Sequence, residues 1–143
     1  MPARNETPSI ELTPVGFVKS PLADPGQAPR QGDEGTPEAT IVFEPAVLPA
    51  LDAVGPGDEM LVLTWLHLAP RDVLRVHPRD DPSRPVTGVF STRSPGRPNP
   101  IGLHRIEILS VDGRTVRVRN LEAVDGTPVI DLKPVLSAST SER

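Results

Sequence analysis

The stretch of this chain best equipped for chemistry runs from Gly88 to Leu103, Gly-Val-Phe-Ser-Thr-Arg-Ser-Pro-Gly-Arg-Pro-Asn-Pro-Ile-Gly-Leu. Pro95, Pro98 and Pro100 fix their own φ and push each preceding residue out of the helical region. Arg93, Arg97 and Asn99 are thereby held in an extended loop with little entropy left to lose. Polar groups positioned in advance are what binding and catalysis require. An arginine fork grips carboxylate or phosphate through two bonds at once, so an anionic group is the natural ligand. The plain alternative is a proline-rich surface linker. Linkers seldom set such residues between apolar strand ends, with no acidic residue between Asp81 and Glu107.

Other chemistries lack their residues. With no cysteine, disulfides, thiolate catalysis and cysteine-ligated zinc are excluded. His67, His77 and His104 stand 10 and 27 residues apart, off helical metal spacing, so no metal site is expected. Gly55-Pro56-Gly57 lacks the third glycine and following helix of a dinucleotide fingerprint, and there is no Gly-Lys-Ser/Thr phosphate loop. Nothing marks a nucleophile elbow.

Charge is polarised along the chain. The net of −4 divides into −7 for residues 1–60, +4 for residues 61–105 and −1 for residues 106–143. All seven cations of the middle segment are arginines. A solvated surface explains them as well as a local basic stripe for a transient RNA encounter does.

The elements that must position Gly88–Leu103 read as β structure. Val, Ile and Thr total 32 of 143 residues, and branched side chains favour a pleated sheet. The 19 prolines and 11 glycines predict short elements and stiff turns. A first strand is expected over Glu11–Ser20, with Leu12, Val15 and Phe17 as core candidates, then a proline-rich loop from Ser20 to Pro37. Thr40–Glu44 reads as a strand, Ala46–Val54 as one or two helical turns, and Glu59–Leu68 as a buried central strand. Val73–His77 alternates weakly. Gly102–Val111 and Arg114–Leu121 flank Asp112-Gly113 as a hairpin, and Val129–Val135 closes the series. In the second hairpin arm Val116 and Val118 share one face. Six or seven strands with little helix predict a mainly β, compact antiparallel barrel or sandwich. Of the four aromatic residues, Phe17, Phe43, Trp65 and Phe90, most read as core. Residues 10–136 are expected to form one domain between flexible tails, 1–9 and 137–143. No membrane span or secretory leader is visible, so a cytoplasmic protein is expected.

Gly88–Leu103, together with Leu121-Glu122-Ala123-Val124-Asp125-Gly126-Thr127-Pro128-Val129-Ile130-Asp131-Leu132-Lys133-Pro134, closely resembles the TrmO (TsaA-like) tRNA methyltransferase family. Val15–Pro21 resembles that family's opening strand, Ala28-Pro29-Arg30-Gln31 its first binding loop, and Leu63-Thr64-Trp65-Leu66-His67 its aromatic-plus-histidine strand. The likeness spans about residues 12–135. It implies a β-barrel unlike Rossmann methyltransferases, working as a homodimer with S-adenosyl-L-methionine. The implied reaction methylates N6 of N6-threonylcarbamoyladenosine beside the tRNA anticodon.

Family cofactor contacts fall on Pro29, Arg30, Gln31, His67, Leu68, Arg93, Leu103, Asp125, Gly126, Thr127 and Pro128. On chemical grounds Arg97 and Asn99 are expected to contact the acceptor. The chain departs from many relatives in carrying Val135 after Lys133-Pro134 and in ending soon after. A small-molecule methyltransferase of the same fold, or a non-enzymatic S-adenosylmethionine-binding module, is the alternative.

Overall fold

The computed structural model describes residues 7–21 and 37–136, so residues 29–31, the 22–36 part of the expected loop, 1–6 and 137–143 lie outside it. Eight strands are present: β1 (Gly16–Lys19), β2 (Glu38–Phe43), β3 (Glu59–Trp65), β4 (Arg75–Val76), β5 (Thr87–Gly88), β6 (Ile101–Asp112), β7 (Thr115–Arg119) and β8 (Pro128–Pro134). Six of them close into an antiparallel barrel in the order β1-β2-β7-β6-β3-β8, with β1 also paired to β8. The other two, β4 and β5, form a small separate ribbon.

Where apolar and polar residues alternate, as in β7, the pattern fixes which way the strand faces, because a one-residue slip would turn every side chain over. Met60, Val62 and Thr64 of β3 point inward, as do Ile106 and Ile108 of β6 and Val116 and Val118 of β7. With Val18, Ile41, Phe43, Leu121 and Val129 they fill the barrel. The outer wall carries cross-strand ion pairs, Arg105 with Glu59, Arg117 with Glu38 and Arg119 with Glu107.

Several expectations are corrected in detail. Leu12 is exposed and Phe17 is 39% exposed, because β1 begins only at Gly16 and sets Gly16 and Val18 inward. Val15 does pack against the core. Phe90 is 84% exposed rather than buried. The Ala46–Val54 helical turns are a 3-10 helix, Pro45–Leu51, since Pro49 inside it lacks the amide hydrogen an α-helix needs. The hairpin forms where expected, but its two loop residues are Gly113 and Arg114, flanked by the Asp112–Thr115 pair. Gly113 alone takes a positive φ, 60°, as in a turn of type II′.

Candidate functional site

Strand direction gathers the expected site at one end of the barrel. β1, β3 and β7 finish there, and β2, β6 and β8 start there. The connections that open at this end are therefore 20–37, 66–100 and 120–127. His67, Leu68, Arg93, Arg97 and Asn99 lie in the second, and Asp125, Gly126 and Thr127 in the third, with Pro128 opening β8. Pro29, Arg30 and Gln31 belong to the first connection and lie outside the described residues. Leu103 stands apart, three residues into β6, facing outward opposite Leu63.

The β7–β8 connection is built as a plug with a polar rim. Leu121, Ala123 and Val124 are buried, and Thr127 is buried with its hydroxyl donating to the Val124 carbonyl at 2.7 Å. Gly126 has a φ of 86°, which only glycine adopts cheaply, and its amide donates to Val18 O at 2.8 Å. Asp125 is exposed, and its Oδ1 accepts the Ser20 amide at 3.1 Å. This pins the rim to the end of β1.

In the 66–100 connection, Arg97 is the internal brace. Its Nε donates to Ser94 O at 2.8 Å, and Nη2 donates to the carbonyls of Val89 and Thr92. The backbone of Arg97 also donates to Pro70 O at 3.1 Å. Val89 is buried beneath it, so the turn carrying Phe90 is fixed although Phe90 itself is exposed. Arg93 projects outward from the same loop. Asn99 is exposed, and its Oδ1 accepts Arg71 Nη2 at 2.9 Å, while Arg71 Nε donates to Pro98 O at 2.8 Å. The Arg71 guanidinium lies 5.1 Å over the Trp65 ring. These three side chains join β3 to the Arg-Pro-Asn-Pro run across 27 or more residues, a contact that spacing alone does not announce.

Beneath this end sits an inward-facing polar pair. His104 Nε2 is 2.9 Å from Thr64 Oγ1 on the neighbouring strand. Burial disfavours the imidazolium and pulls the His104 pKa down from 6.5 to about 4. An unfolded chain therefore takes up this proton near pH 6.5, whereas the folded chain resists it until about pH 4. Stability should fall as pH drops through that window and then level off, by about 3 kcal/mol in total for this group. Denaturant unfolding at pH 7.5 and pH 4.5 checks this: His104→Gln should lose less stability on acidification than the unmodified chain. Equal losses would assign the effect to carboxylates instead.

A cavity of about 560 Å³ lies at the opposite end of the barrel, lined by Val15, Phe43, Leu51, Met60, Asp131 and Leu132 among others. None of the expected site residues lines it. Three of the four carboxylates lining it are engaged locally: Asp58 accepts the Gly55 amide, Glu59 pairs with Arg105, and Asp131 pairs with Lys133. Among the described residues no group of three or more histidines, aspartates or glutamates is placed to hold a metal. No helix among them is long and apolar enough to cross a membrane.

Known proteins resemble this chain over most of its length. The family described as tRNA-methyltransferase O N-terminal domain matches residues 17–140. A probable S-adenosyl-L-methionine-binding protein of Methanothermobacter thermautotrophicus is 49% identical over 125 residues, covering 87% of this chain and 89% of that protein. An S-adenosyl-L-methionine-binding protein of Archaeoglobus fulgidus is 43% identical over 122 residues, covering 85% and 86%. The crystal structure of TrmO from Pseudomonas aeruginosa superposes with a TM-score of 0.75 at 24% identity, a likeness of fold. It covers 95% of this chain but 62% of that one, so this chain spans about three fifths of the solved protein.

Proposed function

Because the chain belongs to the tRNA-methyltransferase O N-terminal domain family, we propose that it is an S-adenosylmethionine-dependent methyltransferase. Its acceptor on this reading is N6 of N6-threonylcarbamoyladenosine next to the tRNA anticodon. The observation that carries the reading is the convergence of the described candidate loops on one end of the barrel. S-adenosylmethionine, when bound, supplies a methyl group on a positively charged sulfur, open to in-line displacement without a metal. The residues present fit such a group: an outward-facing Arg93 for its carboxylate, and an Asp125 oxygen for a ribose hydroxyl or the amino group. Gly126 lets the backbone approach for want of a Cβ. His67 and Leu68 lie exposed just after β3, at the same end of the barrel, and on this reading contact the cofactor.

The chain's main task is alignment, which can supply much of the rate of a displacement. Arg97 commits most of its donors to loop carbonyls, so its role on this reading is to hold the loop rather than to meet the acceptor. Asn99 keeps its amide hydrogens for the acceptor, because its oxygen already serves Arg71. A second copy of the chain would cover the outward apolar wall where Leu103 is 47% and Ile101 43% exposed, giving the homodimer. For the tRNA backbone, the arginine-rich 61–105 segment is the attracting surface, with Arg75 exposed on the β4–β5 ribbon. Arg105 and Arg84 are paired with Glu59 and Asp81, and so contribute less to that surface than their number suggests. A cytoplasmic location follows from a tRNA substrate.

Calorimetry with S-adenosylhomocysteine should show micromolar-range binding, and Arg93→Ala should weaken it about tenfold or more, the loss of one charge-assisted contact. Incubation with S-adenosylmethionine and tRNA carrying threonylcarbamoyladenosine should yield the N6-methyl nucleoside on mass analysis. No cofactor binding would sink the whole reading. Binding without methylated tRNA would favour a small-molecule acceptor or a binding module, which the names of the archaeal relatives also suit.

A further inference from the structure

The Arg71 side chain has a geometry that neither holding the loop nor attracting phosphate requires. Its plane is fixed at three points: Nε on Pro98 O, Nη2 on Asn99 Oδ1, and one face over the Trp65 ring at 5.1 Å. The residue is nevertheless exposed, and among the described residues it forms no ion pair with a carboxylate. A solvated arginine keeps about 2 kcal/mol of rotamer freedom, and this one has given it up. What remains is a flat cation, backed by an indole and open on its outer side.

Asn99 completes the arrangement. Arginine only donates, so the amide atom facing Arg71 is the oxygen and the flip of the side chain is settled. The two Nδ2 hydrogens therefore point away from Arg71, at the edge of the same platform. A guanidinium plane stacks on nucleobases, and amide hydrogens at its border pair with ring nitrogens or carbonyl oxygens.

We propose that Trp65, Arg71 and Asn99 form a subsite for a purine ring, with the outer face of Arg71 as the stacking surface and Asn99 Nδ2 as the edge donor. The inference rests on the proposed methyl transfer only for the source of the purine, since cofactor and acceptor nucleoside both carry adenine. Arg71 and Asn99 bind through plane and edge, which differs from the point charge that a phosphate contact needs.

The test replaces Arg71 by lysine, which keeps the charge but loses the fork and the plane. A second variant, Asn99→Asp, keeps an acceptor for Arg71 while removing the edge donors. Two arms are read: dissociation of S-adenosylhomocysteine by calorimetry, and KM and kcat for an anticodon stem-loop carrying threonylcarbamoyladenosine. Loss of one stacking plane should raise one of these by about tenfold, with the other unchanged. A raised cofactor dissociation constant assigns the cofactor's purine, and a raised acceptor KM assigns the acceptor's. Either supports the subsite. Changes under twofold in both arms overturn it, and so do equal losses in both with a lowered melting temperature, which would mark a structural clamp alone.

If the unmodified protein binds neither probe, the methyltransferase reading fails, and adenosine monophosphate decides the subsite separately. Trp65 is the single tryptophan, so its emission reports on the platform. A saturable change with adenosine monophosphate that Arg71→Lys abolishes sustains the subsite, and an unresponsive emission rejects it.

Discussion

Gly102→Ala is expected to destabilise the barrel by about 3 kcal/mol, because overfilling a packed interior forces neighbours off their rotamers. Gly102 faces inward on β6 opposite Thr64. A Cβ there would press on Thr64 Oγ1, lie 2.8 Å from His104 Nε2 and lie 3.0 Å from Leu66 Cδ2. The Thr64–His104 hydrogen bond would have to open, at a further cost of about 1 kcal/mol. For a domain of this size the two together should lower the melting temperature by about 10 °C. Thermal unfolding measures this directly. Thr64→Ala removes the nearest obstructing atom, so it should cost less in the Gly102→Ala background than in the unmodified chain. Strictly additive effects would show that Thr64 is not what excludes the side chain. Since Trp65 follows Thr64 on the same strand, the movement should also reach the Arg71 platform.

How far the sequence shows this molecule depends on the range of the interaction concerned. Strands whose residues alternate, such as Thr115–Arg119 with Val116 and Val118 inward, are legible because burial itself writes the period. Asp112-Gly113 locates the hairpin, although only pairing with Thr115 shows that glycine takes the first loop position. β3 reads as an unbroken apolar run, yet its outer residues Leu61, Leu63 and Trp65 are only half-buried. Composition records apolarity and is silent on which wall will meet solvent. Phe90 misleads for the same reason. Its place on a short turn is decided by the burial of Val89 and the bonds of Arg97, both set by partners distant in the loop.

The candidate site divides in the same manner. The proline-spaced Arg93–Asn99 run is visible as rigid and polar, and the family likeness selects loops that strand polarity then brings to one end. The partners of each arginine are not visible. Arg71 reads as one of seven surface cations, and Arg97 as a group aimed at the acceptor. In the fold both are tied to backbone carbonyls, an assignment that depends on where a loop turns back on itself rather than on residue type.

That difference gives Arg97 a distinctive expected phenotype. Arg97→Ala removes the donors on Ser94 O, Val89 O and Thr92 O at one stroke. Bonds from a charged donor contribute about 1.5–3 kcal/mol each, though not additively, and water replaces part of the loss at this half-buried position. The loop should loosen locally while the barrel, whose core is elsewhere, stays folded. Amide hydrogens of Thr92 and Arg97, which bond Val89 O and Pro70 O, should then exchange markedly faster, with those of β3 and β6 unchanged. Arg93 and Asn99 ride on the same loop, so cofactor affinity and turnover should fall together, each by about tenfold or more. Arg97→Lys should rescue little, because a single ammonium cannot reproduce a planar fork spanning three carbonyls. A residue that touched only the acceptor would behave differently. It would lower turnover while leaving S-adenosylhomocysteine affinity and loop exchange intact, and that outcome would return Arg97 to direct contact with the acceptor.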